Sequence, residues 1–337
     1  TNKTQFLLAT SAIVGVAAFT ATPAFAQSVD LNTGATNGGD PITNATQFND
    51  NQDVNLFIQD NFNASAPATG NSAATATLTA GESAEQTIGD GNGDAITAED
   101  VDGTTLTITN TGASEANTLN VAGNIQREAT SDLSLVLTAN GQDQDVAVDG
   151  DLKLNTTGTV DVNGATANAS NLSVTGDITS GAITLDESTT DSTATLTLNG
   201  DGDQAVSATS TIDGDTTGSG AITVNNTGDG STTTFNGAIG GGGTSEVGSL
   251  TVTQGDTDLA ASAKFAGDVT VEQDTLTNKS GNTLTAVNLS GEGAFINQST
   301  ANLSGDVTIS SVELNGGLTL DSGTAEAQTV DATIDGV

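Results

Sequence analysis

The segment Thr232–Val252 reads TTTFNGAIGGGGTSEVGSLTV, and Lys264–Val271 follows it as KFAGDVTV. Both contain a short unit, Gly-x-φ-x-φ, in which φ is an aliphatic residue: Gly248-Ser249-Leu250-Thr251-Val252 and Gly267-Asp268-Val269-Thr270-Val271. Because successive side chains of a strand point to opposite faces, the alternation places Leu250 and Val252 on one face and Thr251 on the other. Each unit therefore predicts a short strand, buried on one face and hydrated on the other, that begins at a glycine bend.

The same unit recurs along the chain at uneven intervals. Units begin at Gly150, Gly158, Gly176, Gly181, Gly220, Gly248, Gly267, Gly305 and Gly316. The intervals from 158 to 176 and from 248 to 267 are nearly equal, those from 181 to 220 and from 267 to 305 are about twice as long, and the remaining ones do not fit. One solenoid coil of two or three short strands with their turns takes about 20 residues, which matches the shorter interval. The sequence therefore predicts an all-β fold, a parallel β-helix (β-solenoid) of degenerate coils.

Tandem β-sandwich modules are the alternative fold. A sandwich of the immunoglobulin type needs longer strands and usually a large aromatic residue in its core. After Gly70 the chain offers only Phe235, Phe265 and Phe295 for that position. The solenoid is therefore the favoured fold.

The composition excludes several kinds of chemistry. The 337 residues include no His, Cys, Trp, Tyr or Met, so Ser-His-Asp and Cys-His catalysis, the usual zinc sites and disulfides are all ruled out. The formal net charge is −37, from 42 acidic and 5 basic residues. Such a chain repels nucleic acid and attracts divalent cations. The expected partners are thus divalent cations, further copies of the chain, or ligands on a cell or host surface.

The chain divides into three segments. Residues 1–26 are typical of a secretory signal peptide, with Lys3 in a positive start, an apolar run, and a cleavage site at Ala24-Phe25-Ala26. Residues 27–75 are polar and are interpreted as an N-terminal cap or leader. Residues 76–337 are the repetitive β-solenoid. The apolar run is too short and mixed for a good transmembrane helix, so we expect no membrane-spanning segment in the mature chain.

Asp90-Gly91-Asn92-Gly93-Asp94 is the best candidate for a metal site. Asp90, Asn92 and Asp94 resemble the alternating oxygen ligands that open a calcium loop, although position six is Ala95 and position twelve is Val101. Asn199-Gly200-Asp201-Gly202-Asp203 and Asp213-Gly214-Asp215 are weaker versions of this pattern. The sequence thus raises the hypothesis of bound Ca²⁺, against the plainer interpretation of polar, glycine-rich turns.

Two further patterns suggest other binding or catalytic roles. Thr-x-Thr pairs occur at Thr105/Thr107, Thr107/Thr109 and Thr195/Thr197, and such pairs stacked on a flat face would suit ice, but they do not recur with a fixed period. Paired carboxylates, such as Glu82 with Glu85 or Asp186 with Glu187, are the groups that glycosidases use. The chain has almost no aromatic or basic residues for sugar subsites, so we expect no enzyme and no catalytic residues.

Phe235–Val252 and Lys264–Val271 resemble the repeats of large bacterial surface proteins: autotransporter passengers, filamentous adhesins and some surface-layer proteins. The signal peptide, the bias toward Thr, Asn, Gly and Asp and the missing Cys agree with this resemblance, which covers roughly residues 75–337. It implies an extracellular β-helical scaffold of a Gram-negative bacterium and brings no catalytic residues. Autotransporters end in a membrane barrel, whereas this chain ends in mid-pattern, so we expect a fragment of a longer protein.

The function expected from the sequence is that of a non-enzymatic structural protein on the exterior of the bacterial outer membrane, a component of a surface layer, an adhesin or a filament. The alternative is a carbohydrate-active solenoid, or one that binds a ligand or ice.

Overall fold

In a computed structural model, short strands joined by turns form successive coils that stack on one another. It covers residues 29–30, 56–58, 75–80, 85–88, 94–98, 104–110, 117–127, 133–139 and 143–336, the last without 166, 189–191, 242–244 and 322–327. In this part of the chain every strand pairing is parallel and no helix occurs. The predicted all-β parallel β-helix is therefore confirmed, and the sandwich alternative, which requires antiparallel sheets, is wrong.

The strands stack into three faces. Face I contains β1 Val29–Asp30, β2 Leu56–Ile58, β5 Asp94–Ala98, β8 Asn124–Arg127, β11 Leu152–Lys153, β14 Ile178–Thr179, β17 Gln204–Val206, β20 Thr232–Phe235, β22 Asp256–Leu259 and β25 Thr275–Asn278. Face II contains β4 Glu85–Ile88, β7 Asn117–Val121, β10 Gln144–Val148, β13 Ala169–Val174, β16 Thr193–Leu198, β19 Ser219–Asn225, β21 Val247–Gln254 and β24 Val269–Val271.

Face III completes each coil. It contains β3 Thr75–Ala80, β6 Thr104–Asn110, β9 Leu133–Ala139, β12 Val160–Gly164, β15 Ala182–Glu187, β18 Thr211–Gly214, β23 Ala263–Lys264, β26 Thr283–Ala286, β28 Thr300–Leu303 and β30 Gly317–Leu320, with Ile239 bridging β18 and β23. Three long strands, β27 Leu289–Asn297, β29 Val307–Leu314 and β31 Val330–Gly336, run from face II onto face I. The chain visits faces III, II and I in that order in each coil.

The coils shorten along the chain. Leu119 aligns with Val146 in the next coil, whereas Leu289 aligns with Val307 after a clearly shorter stretch of chain. In the last coils faces II and I join within one strand, and in β27 the backbone bends at Gly291, whose φ is 124°. A Cβ at this position would overlap the carbonyl oxygen of Val271 in the preceding coil, so only glycine fits. The predicted coil length thus holds for the later coils, and earlier coils carry longer turns.

Two of the intervals noted in the sequence do not connect equivalent positions. Gly158 precedes β12 of face III, whereas Gly176 precedes β14 of face I. Likewise, Gly181 precedes a strand of face III and Gly220 lies in β19 of face II. The interval from Gly248 to Gly267 does connect equivalent positions, because Leu250 aligns with Val269 in the next coil.

The core is a set of aliphatic columns that run through the stack. Leu250, Val269, Leu289 and Val307 align in successive coils, each with an exposed fraction of 1 % or less. Val252 aligns with Val271 in the neighbouring column. The outward residues between them, Thr251, Thr270 and Thr308, are half-buried or exposed. The inward and outward faces deduced from alternation are therefore confirmed.

The three phenylalanines of the solenoid lie inside it. Phe235, Phe265 and Phe295 are the largest fully buried side chains. Phe235 and Phe295 lie on different columns of face I, since Phe235 aligns with Leu259 and Phe295 with Leu276. They are space-filling residues of single coils, and their even spacing in the sequence reflects no repeat.

Candidate functional site

The predicted calcium loop falls largely outside the described residues. Asp90 and Asn92 lie there, and of Asp94 only the backbone is described, at the start of β5 beside Asn124 of β8. The two weaker motifs are fully described. Asp203 accepts a hydrogen bond from the backbone N–H of Thr232 (3.0 Å), and Asp213 accepts one from Gly241 (3.1 Å). Across the described ranges, no three His, Cys, Asp or Glu side chains group as a metal site would require.

The bond of Asp203 exemplifies how a series of corner carboxylates of the solenoid are used. An Asp or Asn near the start of a strand accepts a hydrogen bond from the backbone N–H of a residue one coil further on. Asn124 accepts from Asp151 (2.7 Å), Asp151 from Asp177 (2.8 Å), and Asp177 from Ala205 (2.8 Å). We call such a side chain an inter-coil clamp. It supplies an acceptor at the corner, where the strand ladder is interrupted.

Clamps also occur at the other corners. At the start of face II, Asn288 accepts from the N–H of Asp306 and Asp306 from that of Thr329, both at 2.7 Å. The Nδ2 of Asn288 in turn donates to Asp268 at 2.7 Å. At the start of face II Asp143 also accepts from the N–H of Ala169, and at the start of face I Asp256 accepts from that of Thr275. Where the acceptor is an Asp carboxylate, the hydrogen bond is about twice as strong as a neutral one, so these clamps in particular fix one coil on the next.

The clamps explain the glycine in some of the Gly-x-φ-x-φ units, whereas at Gly248 and Gly267 a Cβ would meet backbone oxygens of the preceding coil. A Cβ at Gly176 would overlap Oδ1 of the clamp Asp151, and a Cβ at Gly305 would overlap Oδ1 of the clamp Asn288. Glycine therefore leaves room for the carboxylate or amide from the preceding coil. In three units the residue after the glycine is itself the next clamp: Gly150-Asp151, Gly176-Asp177 and Gly305-Asp306. The glycine and the aliphatic positions of the unit were predictable from the sequence, whereas the role of the residue after the glycine was not.

The environment of the carboxylates shifts their pKa in both directions. Although partial burial works in the opposite direction, Lys153 and the N–H of Asp177 hold the pKa of Asp151 below its ordinary value. On face III, burial raises the pKa of Asp161, and a hydrogen bond with Thr184 only partly offsets this. Burial also raises the pKa of Asp186, which lies near the negative charges of Asp215, Asp161 and Glu187.

The raised pKa values predict that acidification stabilises face III. A carboxyl whose pKa is higher in the folded than in the unfolded state favours folding when protonated, and this contribution is lost as pH rises through its folded pKa. Asp161→Asn should therefore raise the melting temperature near pH 7, and its advantage over wild type should shrink toward about pH 4. Thermal unfolding followed by circular dichroism across this range tests the prediction. An advantage that is constant or grows on acidification would contradict it.

A second set of hydrogen bonds between coils lies inside the solenoid. Asn278 and Asn297, both fully buried, align in successive coils of face I, and Nδ2 of Asn278 donates to Oδ1 of Asn297 at 2.8 Å. Nδ2 of Asn297 donates onward to the carbonyl oxygen of Gly317 at 2.8 Å. This asparagine ladder joins three coils through the core. This ladder was not predictable from the sequence, because Asn between strands is normally a turn residue.

The Thr-x-Thr pairs divide into two groups. Thr107 aligns with Val136 and that column then continues to Asp161, so the earlier pairs do not form a long array. Thr197 belongs instead to an outward column of hydroxyls on face II that spans seven successive coils: Ser173, Thr197, Thr223, Thr251, Thr270, Ser290 and Thr308. The column was hidden in the sequence because its members lie one coil apart and the coils differ in length.

An Asp-lined cavity and three lysines were the next candidates for a site, but most of their charged groups bind other residues of the chain. A cavity of about 100 Å³ is lined by Asp229, Asp256 and Asp274, but Asp256 bonds to the N–H of Thr275 and Asp274 to that of Gly255. Three lysines form ion pairs with carboxylates: Lys153 with Asp151, Lys264 with Glu246 and Lys279 with Asp258. Of the paired carboxylates, Asp186 and Glu187 lie together at the end of β15, whereas the side chains of Glu82 and Glu85 lie outside the described residues.

Comparisons with known proteins found no similar protein. No protein-family model matches the chain. No curated protein and no solved structure resembles it significantly. Within the described residues, no helix has the length and apolar character that crossing a membrane would demand. The assignment of function must therefore start from the solenoid itself.

Proposed function

We propose that the chain is a non-enzymatic structural protein of the bacterial cell surface, a component of a surface layer, an adhesin or a filament. The observation that carries this proposal is the use of the polar side chains. In the described coils, a series of Asp and Asn residues at the corners bind backbone N–H groups of the next coil, and the buried Asn278 and Asn297 join coils through the core. Many of the carboxylate and amide groups that could take part in chemistry are thus used to hold one coil on the next.

A stack of this kind suits a load-bearing or spacing role. Each coil adds about 4.8 Å, so the eleven coils of face II, from β4 to β31, rise about 50 Å. Neighbouring coils are joined by backbone ladders, by aliphatic columns and by the clamps, and stability in such a repeat comes from contacts between neighbours. The result is a rigid rod whose length follows from the number of coils.

The proposed location is outside the cell. It is supported by the secretory signal pattern of residues 1–26 and by the absence of Cys, which makes folding independent of a redox system. The surface-protein repeats that Phe235–Val252 resembles point to the same compartment. Further copies of the chain and ligands on neighbouring surfaces are the partners that this location offers.

Surface proteolysis tests the proposal. When the full chain is produced in a Gram-negative host, proteinase K added to intact cells should remove it, while a cytoplasmic and a periplasmic marker stay protected. N-terminal sequencing of the exported protein should begin at Gln27. Protein that retains Thr1 and resists the protease until the cells are lysed would overturn the proposed location and, with it, the structural role at the surface.

We also propose that Ca²⁺ stabilises the chain, on the basis of the net charge of −37 and the Asp90-Gly91-Asn92-Gly93-Asp94 motif. Ligands that bind only the folded state raise its melting temperature. A chelator should therefore lower the melting temperature, and about 1 mM Ca²⁺ should restore it more than NaCl of equal ionic strength. Asp90→Asn should abolish the difference between the two salts. If NaCl and CaCl₂ raised the melting temperature of the wild-type chain equally, the increase would come from screening of charge repulsion and not from bound Ca²⁺.

A further inference from the structure

Two buried oxygen atoms in one turn receive no hydrogen bond from any described residue. They are Oδ1 of Asn199 and Oε1 of Gln204, at the corner where β16 of face II leads into β17 of face I. Only 2 % of Gln204 is exposed, and its Nε2 donates to the carbonyl oxygens of Val174 (2.9 Å) and Gly176 (2.6 Å) in the preceding coil. These two bonds determine which end of the amide is the acceptor. Because an unpaired buried acceptor costs free energy, both oxygens need a partner.

The space beside Gly200, in the same turn, is lined by oxygen atoms. A Cβ added to Gly200 would lie 2.9 Å from the carbonyl oxygen of Thr175, which belongs to the preceding coil. It would lie 3.4 Å from Oε1 of Gln204 and 3.5 Å from the carbonyl oxygen of Gly202. Amide and carbonyl oxygens accept hydrogen bonds and cannot donate them. The turn is therefore suited to an occupant that carries positive charge or donates hydrogen bonds.

Negative charge surrounds this turn. Asp201 and Asp203 lie within it, and both are exposed. The equivalent corners of the preceding and the following coil carry the exposed Asp177 and Asp229. The segments that form these three corners, 175–177, 199–203 and 226–231, contain no Lys or Arg. Carboxylates without a basic partner raise the local concentration of cations, so a cation is favoured over a neutral donor as the partner of the two oxygens.

The kind of cation follows from the kind of oxygen. Ca²⁺ is normally held by several carboxylates, but Asp203 already accepts from the N–H of Thr232 (3.0 Å), and the described ranges contain no group of three acidic side chains that could hold a metal ion. The oxygens around Gly200 belong instead to amides and backbone carbonyls, which are uncharged. Rings of backbone carbonyl oxygens replace the hydration shell of K⁺ in potassium channels. Neutral oxygens inside an acidic corner therefore suit a monovalent cation.

We propose that this turn binds a monovalent metal cation, Na⁺ or K⁺. Its protein ligands are two side-chain oxygens and two backbone oxygens: Oδ1 of Asn199, Oε1 of Gln204 and the carbonyl oxygens of Thr175 and Gly202. Because Thr175 belongs to the preceding coil, the ion joins two coils and offsets the repulsion between the carboxylates at this corner. Gly200 is needed because a side chain there would enter the space between the ligands. The site is independent of the proposed surface role, so either can fail without the other.

Thermal unfolding of the full chain in three chloride salts at one ionic strength tests the proposal. At about 0.15 M, NaCl, KCl and tetramethylammonium chloride screen charge equally, but tetramethylammonium is too large to enter the turn. A site with a dissociation constant on the order of 10 mM should raise the melting temperature in NaCl or KCl by about 3 °C or more over that in tetramethylammonium chloride. The salt that gives the larger rise identifies the ion. Equal melting temperatures in all three salts would overturn the proposal.

Two alanine variants locate the site. Gly200→Ala places a methyl group among the oxygen ligands and should abolish the difference between the salts. Gly202→Ala is the matched control, because a Cβ at Gly202 would have no atom within 4 Å, and it should keep the difference. Neither glycine has a positive φ, so alanine fits both backbones. Circular dichroism should confirm that both variants are folded. An equal response of the two variants to the salts would contradict the assignment to this turn.

Asn199→Asp keeps the test decisive if Gly200→Ala does not fold. A carboxylate in place of the amide oxygen attracts the cation more strongly, so the salt concentration that gives half of the rise in melting temperature should fall at least about threefold. A crystal structure of the wild-type chain grown with Tl⁺, which replaces K⁺ and is identified by its anomalous scattering, should show the ion beside Gly200. An ordered water at that place, together with no change in the salt dependence of Asn199→Asp, would overturn the proposal.

Discussion

Val271→Asp should unfold the coil in which it lies, at a cost of about 4 kcal/mol or more. Val271 is fully buried in β24, where it aligns with Val252 and packs against Gly293 of the next coil, so a carboxylate there would have neither water nor room. No base can neutralise it from nearby in the sequence, because Lys264 and Lys279 are already paired with Glu246 and Asp258. Urea unfolding followed by circular dichroism measures the loss.

Thr270→Asp is the matched control for this prediction. Thr270 precedes Val271 in the same strand but points outward and is half-buried, with its hydroxyl 3.3 Å from that of Ser290. The same charge placed there should cost less than about 1 kcal/mol, because the carboxylate stays hydrated. Equal tolerance of Asp at the two positions would mean that the inward and outward faces of β24 are not those described.

The inward and outward residues were predictable from the sequence because alternation is a local property. Leu250 and Val252 alternate with Thr251 whatever the neighbouring coils do, and the structure buries the first two and hydrates the third. Which residues align in successive coils was only partly predictable. Longer turns in the earlier coils move equivalent residues further apart, so a fixed interval connects positions on different faces, as it did for Gly158 and Gly176.

The clamps had a signal in the sequence that alternation does not detect. Asn124, Asp151 and Asp177 follow one another at nearly equal intervals, each directly before or at the start of a short strand. Asp and Asn at such places are normally explained as turn residues. That they act between coils becomes visible only when the register is known, because the N–H that Asp151 binds belongs to Asp177, in the next coil. The hydroxyl column of face II was hidden for the same reason.

Asn297→Asp should destabilise the solenoid by about 3 kcal/mol or more near pH 7, although the two side chains have the same size. Nδ2 of Asn297 donates to the carbonyl oxygens of Gly317 (2.8 Å) and Ser299 (3.2 Å), and Oδ1 accepts from Asn278. In the variant an anionic oxygen would replace the donor and face two carbonyl oxygens in a fully buried site. Urea unfolding at about pH 7 gives the cost.

Acidification distinguishes this mechanism from a simple loss of packing. Burial and the facing carbonyls should raise the pKa of the introduced carboxyl above the roughly 3.9 of an unfolded Asp, so the folded state binds the proton more tightly. The cost of the variant should therefore shrink as pH falls through that raised pKa, because the protonated acid donates to one carbonyl again.

Asn302→Asp is the control, since Asn302 lies on the outer side of β28, half-buried, between Thr285 and Thr319. It should cost less than about 1 kcal/mol at either pH. A cost for Asn297→Asp that does not change with pH would show that the asparagine ladder stabilises the core by its shape rather than by its hydrogen bonds.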